Sequence, residues 1–262
     1  MLSFSAPSPR LPQPETLIDP PHRPLPSYYA GEPERRQWVR GIFSRTAVDY
    51  ERIERAMAFG SGSWYRRRAL LAAGLKAGMS VVDVGVGTGL VASQAAAIAG
   101  EPSLVCGVDP SPGMVAAANV PAGVRLLAGS AEQLPLEDAS ADFISMGYAL
   151  RHVDDLATTF AEFHRVLRPG GRVCVMEITL PAAGWARAML KTYMRRVVPW
   201  VAGRMARHRD TPELMRYYWD TIEACVPPAT VLAALKAAGF IATERQIELG
   251  IFSAYHAQKR AH

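Results

Sequence analysis

Residues 81–109 read VVDVGVGTGLVASQAAAIAGEPSLVCGVD, and their chemistry lies in two carboxylates and three glycines. Asp83 precedes Gly85, Gly87, Thr88 and Gly89, and Asp109 follows Gly89 by twenty residues. Glycines let a backbone turn sharply and come close to a ligand. A carboxylate at the tip of the next strand can bind both hydroxyls of a ribose. Together these residues point to an adenosine-containing cofactor. A dinucleotide loop is spaced G-x-G-x-x-G and turns a helix N-terminus toward a pyrophosphate. Here the spacing is G-x-G-x-G, Leu90 stands at the last dinucleotide position, and no P-loop Lys-Ser/Thr follows. Asp83, just before the turn, opposes a pyrophosphate but favours an ammonium, directly or through water. S-adenosylmethionine has an ammonium, a carboxylate, a ribose and an adenine, and no phosphate. It suits this loop better than NAD or ATP.

Positioning these groups takes a strand, a turn, a helix and a second strand, and the chain supplies them in that order. Apolar runs at 81–84 and 104–108 flank a small-residue helical segment. A third run, 124–127, leads into GSAEQLPL, which places Ser130, Ala131 and Glu132 where an adenine edge can be read. The segment ADFISMGYALRHVDD gives a fourth strand at 142–146. Leu156, Phe160, Phe163, Val166 and Leu167 are spaced as one face of a helix, which Pro169, Gly170 and Gly171 end. RVCVMEI is the fifth strand, and strands at 242–247 and 250–256, after a helix at 228–238, close an antiparallel edge. Alternating strands and helices predict a doubly wound parallel sheet with its ligand at the carboxyl ends of the strands.

On these residues the chain resembles the class I methyltransferases, and within them the UbiE/COQ5 family, which C-methylates ubiquinone and menaquinone precursors. The resemblance runs from about residue 42 to the C-terminus. IFSRTAVDYERIERAMAFGSGSWYRRR is similar to that family's N-terminal motif, with Phe43, Tyr50, Phe59, Gly60 and Trp64 in matching places. YALRHVDD resembles its most diagnostic stretch, and RYYWDTIEACVPPATVLAALKAAGF its late helical motif. There are departures. His152 replaces the usual asparagine, Gly147 sits where the family commonly has a cofactor-binding serine, and Ser130 stands for an asparagine or aspartate. The resemblance implies an α/β Rossmann-like fold: a mostly parallel seven-stranded sheet, helices on both faces and a helical lid insertion. It also implies cofactor contacts by Thr88, Asp109, Ser130 and Ala131.

Methyl transfer from a sulfonium needs an in-line nucleophile held about 3–3.5 Å from the methyl. A phenol or quinol ring carbon becomes nucleophilic when its hydroxyl ionises, and a free phenol titrates near 10. Arg151, directly after the fourth strand, offers a permanently charged donor fork to stabilise a phenolate; it also suits a salt bridge with Asp154 or Asp155. In the resembling family this arginine is implicated in activating the ring. His152 is the candidate general base, since its ordinary pKa lies near neutrality. Tyr50 can close over the cofactor and touch the sulfonium through its ring, or staple two helices. Tyr148 and Tyr217 are candidates for the acceptor pocket wall.

At 262 residues the chain can bury a substantial core. Residues 1–33 hold nine prolines and are expected to be extended or disordered, as a tail or as an arm across the domain. Residues 34–262 form the methyltransferase domain, opening with two or three helices: a segment at 37–57 broken by mixed polarity, then a helix at 64–75. A helical insertion at 182–226 follows the fifth strand. There Arg187, Lys191 and Arg195 recur at i, i+4, i+8 between Trp185 and Trp200, and Pro199 is expected to kink or end the helix. Such a helix can roof the substrate pocket or lie on an anionic membrane. Cys106, Cys174 and Cys225 lack metal-ligand spacing and read as reduced core thiols, so no metal site is expected. No apolar run approaches the ~20 residues of a spanning helix, and no secretory pattern opens the chain. The expected location is cytoplasmic, with the inner face of the membrane left open. The net charge of +5 is mild, and neither the exocyclic-amine nor the cytosine-C5 methylase motif is present, so nucleic acid is not an expected partner. The expected partner is a small aromatic acceptor, with a homodimer left open. Two other functions stay open: natural-product tailoring at carbon or oxygen, of an alkylquinolone or polyketide, and a non-catalytic cofactor-binding scaffold.

Overall fold

The computed structural model describes residues 20–57 and 61–261. Phe59 and Gly60 of the N-terminal motif and residues 1–19 of the proline-rich segment lie outside the described residues. Seven strands, β1 (Val81–Val84), β2 (Val105–Asp109), β3 (Arg125–Ala128), β4 (Ala141–Gly147), β5 (Leu167–Ile178), β6 (Phe240–Glu248) and β7 (Phe252–Lys259), form one sheet. Their order is β3-β2-β1-β4-β5-β7-β6. β1 to β5 run parallel, and β7 is antiparallel to both its neighbours. The order reverses between β1 and β4, and a crevice opens at such a reversal.

β1 is buried at every position, because helices cover both faces of a parallel sheet. Val81 joins the core under α2 (Gly62–Ala72) and α3 (Leu90–Ala99). Val82 joins the opposite core, with Phe160 and Phe163 of α5 (Leu156–Val166) and Val231 and Leu235 of α9 (Pro228–Ala237). A third apolar cluster links α1 (Glu32–Met57) to the insertion helices α6 (Gly184–Thr192), α7 (Val198–Met205) and α8 (Thr211–Ala224), through Ile42, Ile53, Leu190, Val198, Leu214 and Trp219. The short α4 (Pro112–Ala117) follows β2; the Ser111 side chain caps it by accepting from the Met114 N–H. These elements are the Rossmann-like fold that the alternation implied.

Four local expectations need amendment. The mixed-polarity segment at 37–57 is one unbroken helix, α1, because tertiary contacts override weak propensity. Ile42 and Ile53 are fully buried, and Asp49 accepts from the N–H groups of Arg207 and His208 and from the Thr211 hydroxyl. Pro199 neither ends nor breaks its helix. A π turn, Tyr193–Val197, lies between α6 and α7 and absorbs the ladder defect that a proline creates. β5 begins at Leu167 rather than after the glycines, with a register break between Ala141 and Phe143. Residues 20–31 are an arm rather than a free tail: the Val226 N–H donates to Pro21 O at 2.8 Å, and Tyr29 is buried against Trp38. No helix among the described residues is long and apolar enough to cross a membrane.

Candidate active site

A cavity of about 300 Å³ lies at the carboxyl ends of β1, β2 and β4. One wall is backbone. Gly85 has φ +67°, and a Cβ there would stand 2.6 Å from Ala149 Cβ, so only glycine lets the loop pass. The Gly85 and Val86 N–H groups donate to Val108 O at 2.8 and 3.1 Å, tying the loop to β2. Asp109 completes the tie, since its carboxylate accepts from the Gly87 and Ser111 N–H groups, both at 2.8 Å. Burial raises its pKa, and those two donors oppose the rise. Gly87, Thr88, Asp109, Ser130, Ala131 and Glu132 all border the cavity. The Thr88 hydroxyl is buried with no partner among the described residues. Glu132 also accepts from the Asp154 N–H at 2.7 Å, tying the wall to the loop after β4. Gly147 borders the cavity where the resembling family commonly has a serine; a Cβ would stand 2.6 Å from Val91 Cγ2, which explains the glycine.

Two of the expected cofactor contacts lie elsewhere. Gly89 is not on the wall; with φ +93° it serves packing, since a Cβ would meet Val120 Cγ1 at 2.2 Å. Asp83 is not on it either. Its place in β1, between Gly107 and Ser145 on neighbouring strands, draws it into the sheet, where the Ser145 hydroxyl donates to it at 2.7 Å. Burial pushes its carboxyl up to about 7, against that hydrogen bond.

The other wall is made of side chains. Tyr50 of α1, Tyr148 after β4 and Tyr218 of α8 border the cavity, with Phe43 beside Tyr50 at a ring separation of 6.4 Å. Burial drives the Tyr50 and Tyr148 phenols well above their ordinary range, and hydrogen bonding with Tyr218 adds to the rise at Tyr50. Tyr148 has φ +60°, rare and strained for a bulky residue, and its N–H donates to Met176 O at 2.7 Å. Leu190, Tyr193 and Met194 of the insertion roof the chamber. Buried Arg66, which also borders the cavity, pairs with Glu54 at 2.8 Å.

Arg151 does not border the cavity. It is fully buried, ion-paired through Nη1 with Glu177 of β5, and its Nε donates to the Thr221 hydroxyl at 3.1 Å. The partner is therefore neither Asp154 nor Asp155. Burial works against the charged guanidinium, but the Glu177 carboxylate, together with Tyr218 and Tyr50, outweighs it and keeps Arg151 protonated. Its guanidinium carbon lies 3.9 Å from the centroid of the Tyr218 ring, so Tyr218 stands between Arg151 and the chamber. Tyr217, one residue earlier on α8, turns away from the chamber; it is fully buried against Trp38 and stacks on His152 at 5.6 Å. His152 borders the cavity between Phe43 and Tyr217, and neither ring nitrogen has a partner among the described residues. Burial and then the charge of Arg151 push its pKa well below the ordinary histidine value. It is uncharged at neutral pH and resists taking a proton, which is unfavourable for the general base expected there.

Sequence reading misses Tyr218, Phe43 as a wall residue and the Arg66–Glu54 pair, whereas the roof lies in the insertion expected to supply it. The signal for Tyr218 is present in RYYWD, where two adjacent tyrosines fall about 100° apart on a helix and only one can face the chamber.

The backbone wall fits S-adenosylmethionine. An unpartnered hydroxyl at Thr88, a carboxylate at Asp109 and a loop close-packed at Gly85 suit a ribose and a polar tail. Asp109 and Glu132 oppose a phosphate. The same chamber continues to an aromatic, apolar wall suited to a ring.

The sequence matches the ubiE/COQ5 methyltransferase family over residues 31–259. It is 36% identical over 211 residues to the ubiquinone/menaquinone biosynthesis C-methyltransferase UbiE of Rubrivivax gelatinosus, covering 80% of this chain and 81% of that protein. It is 30% identical over 236 residues to the demethylmenaquinone methyltransferase of Symbiobacterium thermophilum, covering 85% and 92%. Among solved structures it resembles a SAM-dependent methyltransferase of Thermotoga maritima, described as a possible histamine N-methyltransferase, with TM-score 0.58 and 22% identity over 84% of this chain and 99% of that one. It also resembles the phosphoethanolamine N-methyltransferase 2 of Haemonchus contortus in complex with S-adenosyl-L-methionine, with TM-score 0.56 and 19% identity over 84% and 57%. The two structures share the fold of this chain.

Proposed function

The chain belongs to the ubiE/COQ5 methyltransferase family and is an S-adenosylmethionine-dependent methyltransferase, and from that premise we propose that it methylates a ring carbon of a phenol- or quinol-type acceptor bearing a hydrophobic tail. One observation carries the reading: the chamber behind the glycine loop is walled by Tyr50, Tyr148, Tyr218 and Phe43 and roofed by apolar lid residues. A planar apolar ring suits such walls, and a hydrophobic tail suits the roof. The names of the two curated relatives point the same way.

S-adenosylmethionine supplies an electrophilic methyl group. The protein's part is to hold the acceptor carbon in line with it and to favour charge on the neighbouring ring oxygen. Arg151 does not do this by contact, because Glu177 neutralises it and the Tyr218 ring covers it. It seats Tyr218 instead. The Tyr218 and Tyr50 hydroxyls are the donors for the ring oxygen, and hydrogen bonds to an ionised form lower its pKa. His152, held neutral, orients a ring hydroxyl by accepting its proton in a hydrogen bond. Thr88, Asp109, Ser130, Ala131 and Glu132 hold the cofactor's polar groups.

The test incubates the full chain with labelled S-adenosylmethionine and either demethylmenaquinol or a polyprenyl benzoquinol. Label is expected on a ring carbon. Label on oxygen, or on neither quinol, overturns the reading, and transfer to an alkylquinolone instead would establish the tailoring alternative. Tyr218→Phe keeps the ring against Arg151 and removes one donor. It is expected to lower kcat about tenfold with cofactor affinity intact; equal loss of cofactor affinity would make Tyr218 structural.

A further inference from the structure

Residues 181–209 hold six arginines and one lysine, and no aspartate or glutamate. In the same stretch five large apolar side chains stand in solvent: Trp185 at 74% exposure, Met189 at 64%, Val197 at 43%, Trp200 at 61% and Met205 at 40%. Trp185 and Met189 are one turn apart on α6, Val197 closes the π turn, and Trp200 and Arg204 are one turn apart on α7. At helical periodicity these positions make one stripe along the α6–α7 rod. Patches of this kind are seldom left uncovered. Leu190, Tyr193 and Met194 of the same rod face the chamber. The stripe is thus carried by the same element that roofs the chamber.

Five of these cations divide between two tasks. Arg187 donates to Pro181 O, Lys191 pairs with Glu223, and Arg195 lies 3.9 Å from Asp220, so these hold the lid to its surroundings. Arg196 and Arg204 flank the stripe and have no carboxylate partner among the described residues; Arg204 lies 3.8 Å over the Trp200 ring. Tryptophans with apolar bodies and polar edges, set among unpaired arginines, suit the headgroup region of a membrane with negative charge.

We propose that the α6–α7 face docks on an anionic lipid surface, with Trp185 and Trp200 at headgroup depth and Arg196 and Arg204 against lipid phosphates. Docking brings the roof of the chamber against the bilayer, and a tailed acceptor then reaches the site without crossing water. That consequence rests on the acceptor proposed above; the lipid contact does not.

The experiment sediments the full chain with vesicles of phosphatidylcholine alone, and with vesicles containing about one third phosphatidylglycerol. Binding is expected to the anionic vesicles only, and to weaken in salt that shortens the Debye length to about 3 Å. Trp185→Ser with Trp200→Ser, and separately Arg196→Glu with Arg204→Glu, are expected to lower partition about tenfold or more. Because all four side chains are outside the chamber, methylation of a short-tailed, water-soluble acceptor should be unchanged in both double variants, which also verifies folding. The proposal is overturned if the unaltered chain ignores anionic vesicles or if the variants bind as it does. It is equally overturned if the tryptophan variant instead dissolves a concentration-dependent dimer seen by sedimentation, which would assign the face to a second copy. Vesicle binding that survives alongside failed quinol methylation would sink only the acceptor reading.

Discussion

The two walls of the chamber are built by different means. On the cofactor side, the parts that matter are backbone: the Gly85 turn, the Gly87 N–H and the strand end that carries Asp109. They sit at the ends of adjacent strands, so the sheet fixes them. On the acceptor side, the parts are side chains of α1, the loop after β4, the lid and α8, held by a buried ion pair and by ring contacts. A substitution on the first wall therefore acts through loop geometry and shows up in cofactor affinity. A substitution on the second changes what the ring touches. One scaffold can keep its cofactor chemistry while its acceptor varies. The departures at Gly147 and His152 fall on either side of that divide: Gly147 of β4 answers to Val91 of α3, while His152 answers to Phe43 and Tyr217.

The hardest strain on this division comes from Arg151. Arg151→Met leaves Glu177 buried and unpaired, and we expect a loss of about 3–5 kcal/mol in stability, read from urea unfolding. Arg151→Met combined with Glu177→Leu removes both charges and should recover most of that stability. The double variant should still bind S-adenosylhomocysteine normally and turn over slowly, because Tyr218 has lost its seat. Full recovery of kcat would show that the acceptor wall does not depend on the pair. Loss of cofactor affinity would erase the distinction between the walls. A smaller effect is expected at Asp109, whose two loop hydrogen bonds are charge-assisted. Asp109→Asn should weaken binding of S-adenosylhomocysteine about 10–100-fold by calorimetry, with the acceptor KM unmoved. An equal shift in acceptor KM would mean that the loop shapes both walls.

The same division governs how much of each wall the amino-acid sequence makes legible. Strands and the glycine loop are written locally: VVDV followed by alternating glycines dictates a buried strand and a tight turn within a few residues. The cofactor wall is accordingly legible, apart from Asp83 and Gly89, which sit one step off the cavity for reasons of strand register and of packing on Val120. The acceptor wall depends on which face of α8 meets which face of α1, and no local pattern states that. Arg151 is recognisable as functional chemistry, but proximity along the chain points to Asp154 and Asp155 as its partners, whereas Glu177 reaches it from the adjacent strand. Choosing Tyr217 over Tyr218 is the same error at the scale of one residue. The continuous α1 and the π turn before Pro199 are hidden too, since both owe their form to long-range packing.

The subtlest test of the acceptor wall is the protonation of His152. Its pKa is depressed in the folded chain, by burial first, then by the charge of Arg151, with His22 and Arg35 adding to it. An unfolded histidine titrates near 6.5. Below that pH the unfolded chain binds a proton at this residue that the folded chain refuses. Stability therefore rises with pH through this window and is lost as the medium turns acid. Asp83 works with the opposite sign, since its raised carboxyl of about 7 binds a proton when folded at pH values where the unfolded side chain is ionised. Because both contributions overlap, the informative quantity is the difference between His152→Asn and the unaltered chain. Asparagine cannot titrate, so unfolding free energies measured from about pH 7 down to about pH 5 should fall less steeply in the variant. Turnover should carry no break near 6.5 in the unaltered chain, and His152→Asn should lower kcat by less than about tenfold, the scale of one neutral hydrogen bond. A break near 6.5 that vanishes in His152→Asn would return the imidazole to the role of general base, and would mean that a bound acceptor relieves the burial that now keeps it neutral.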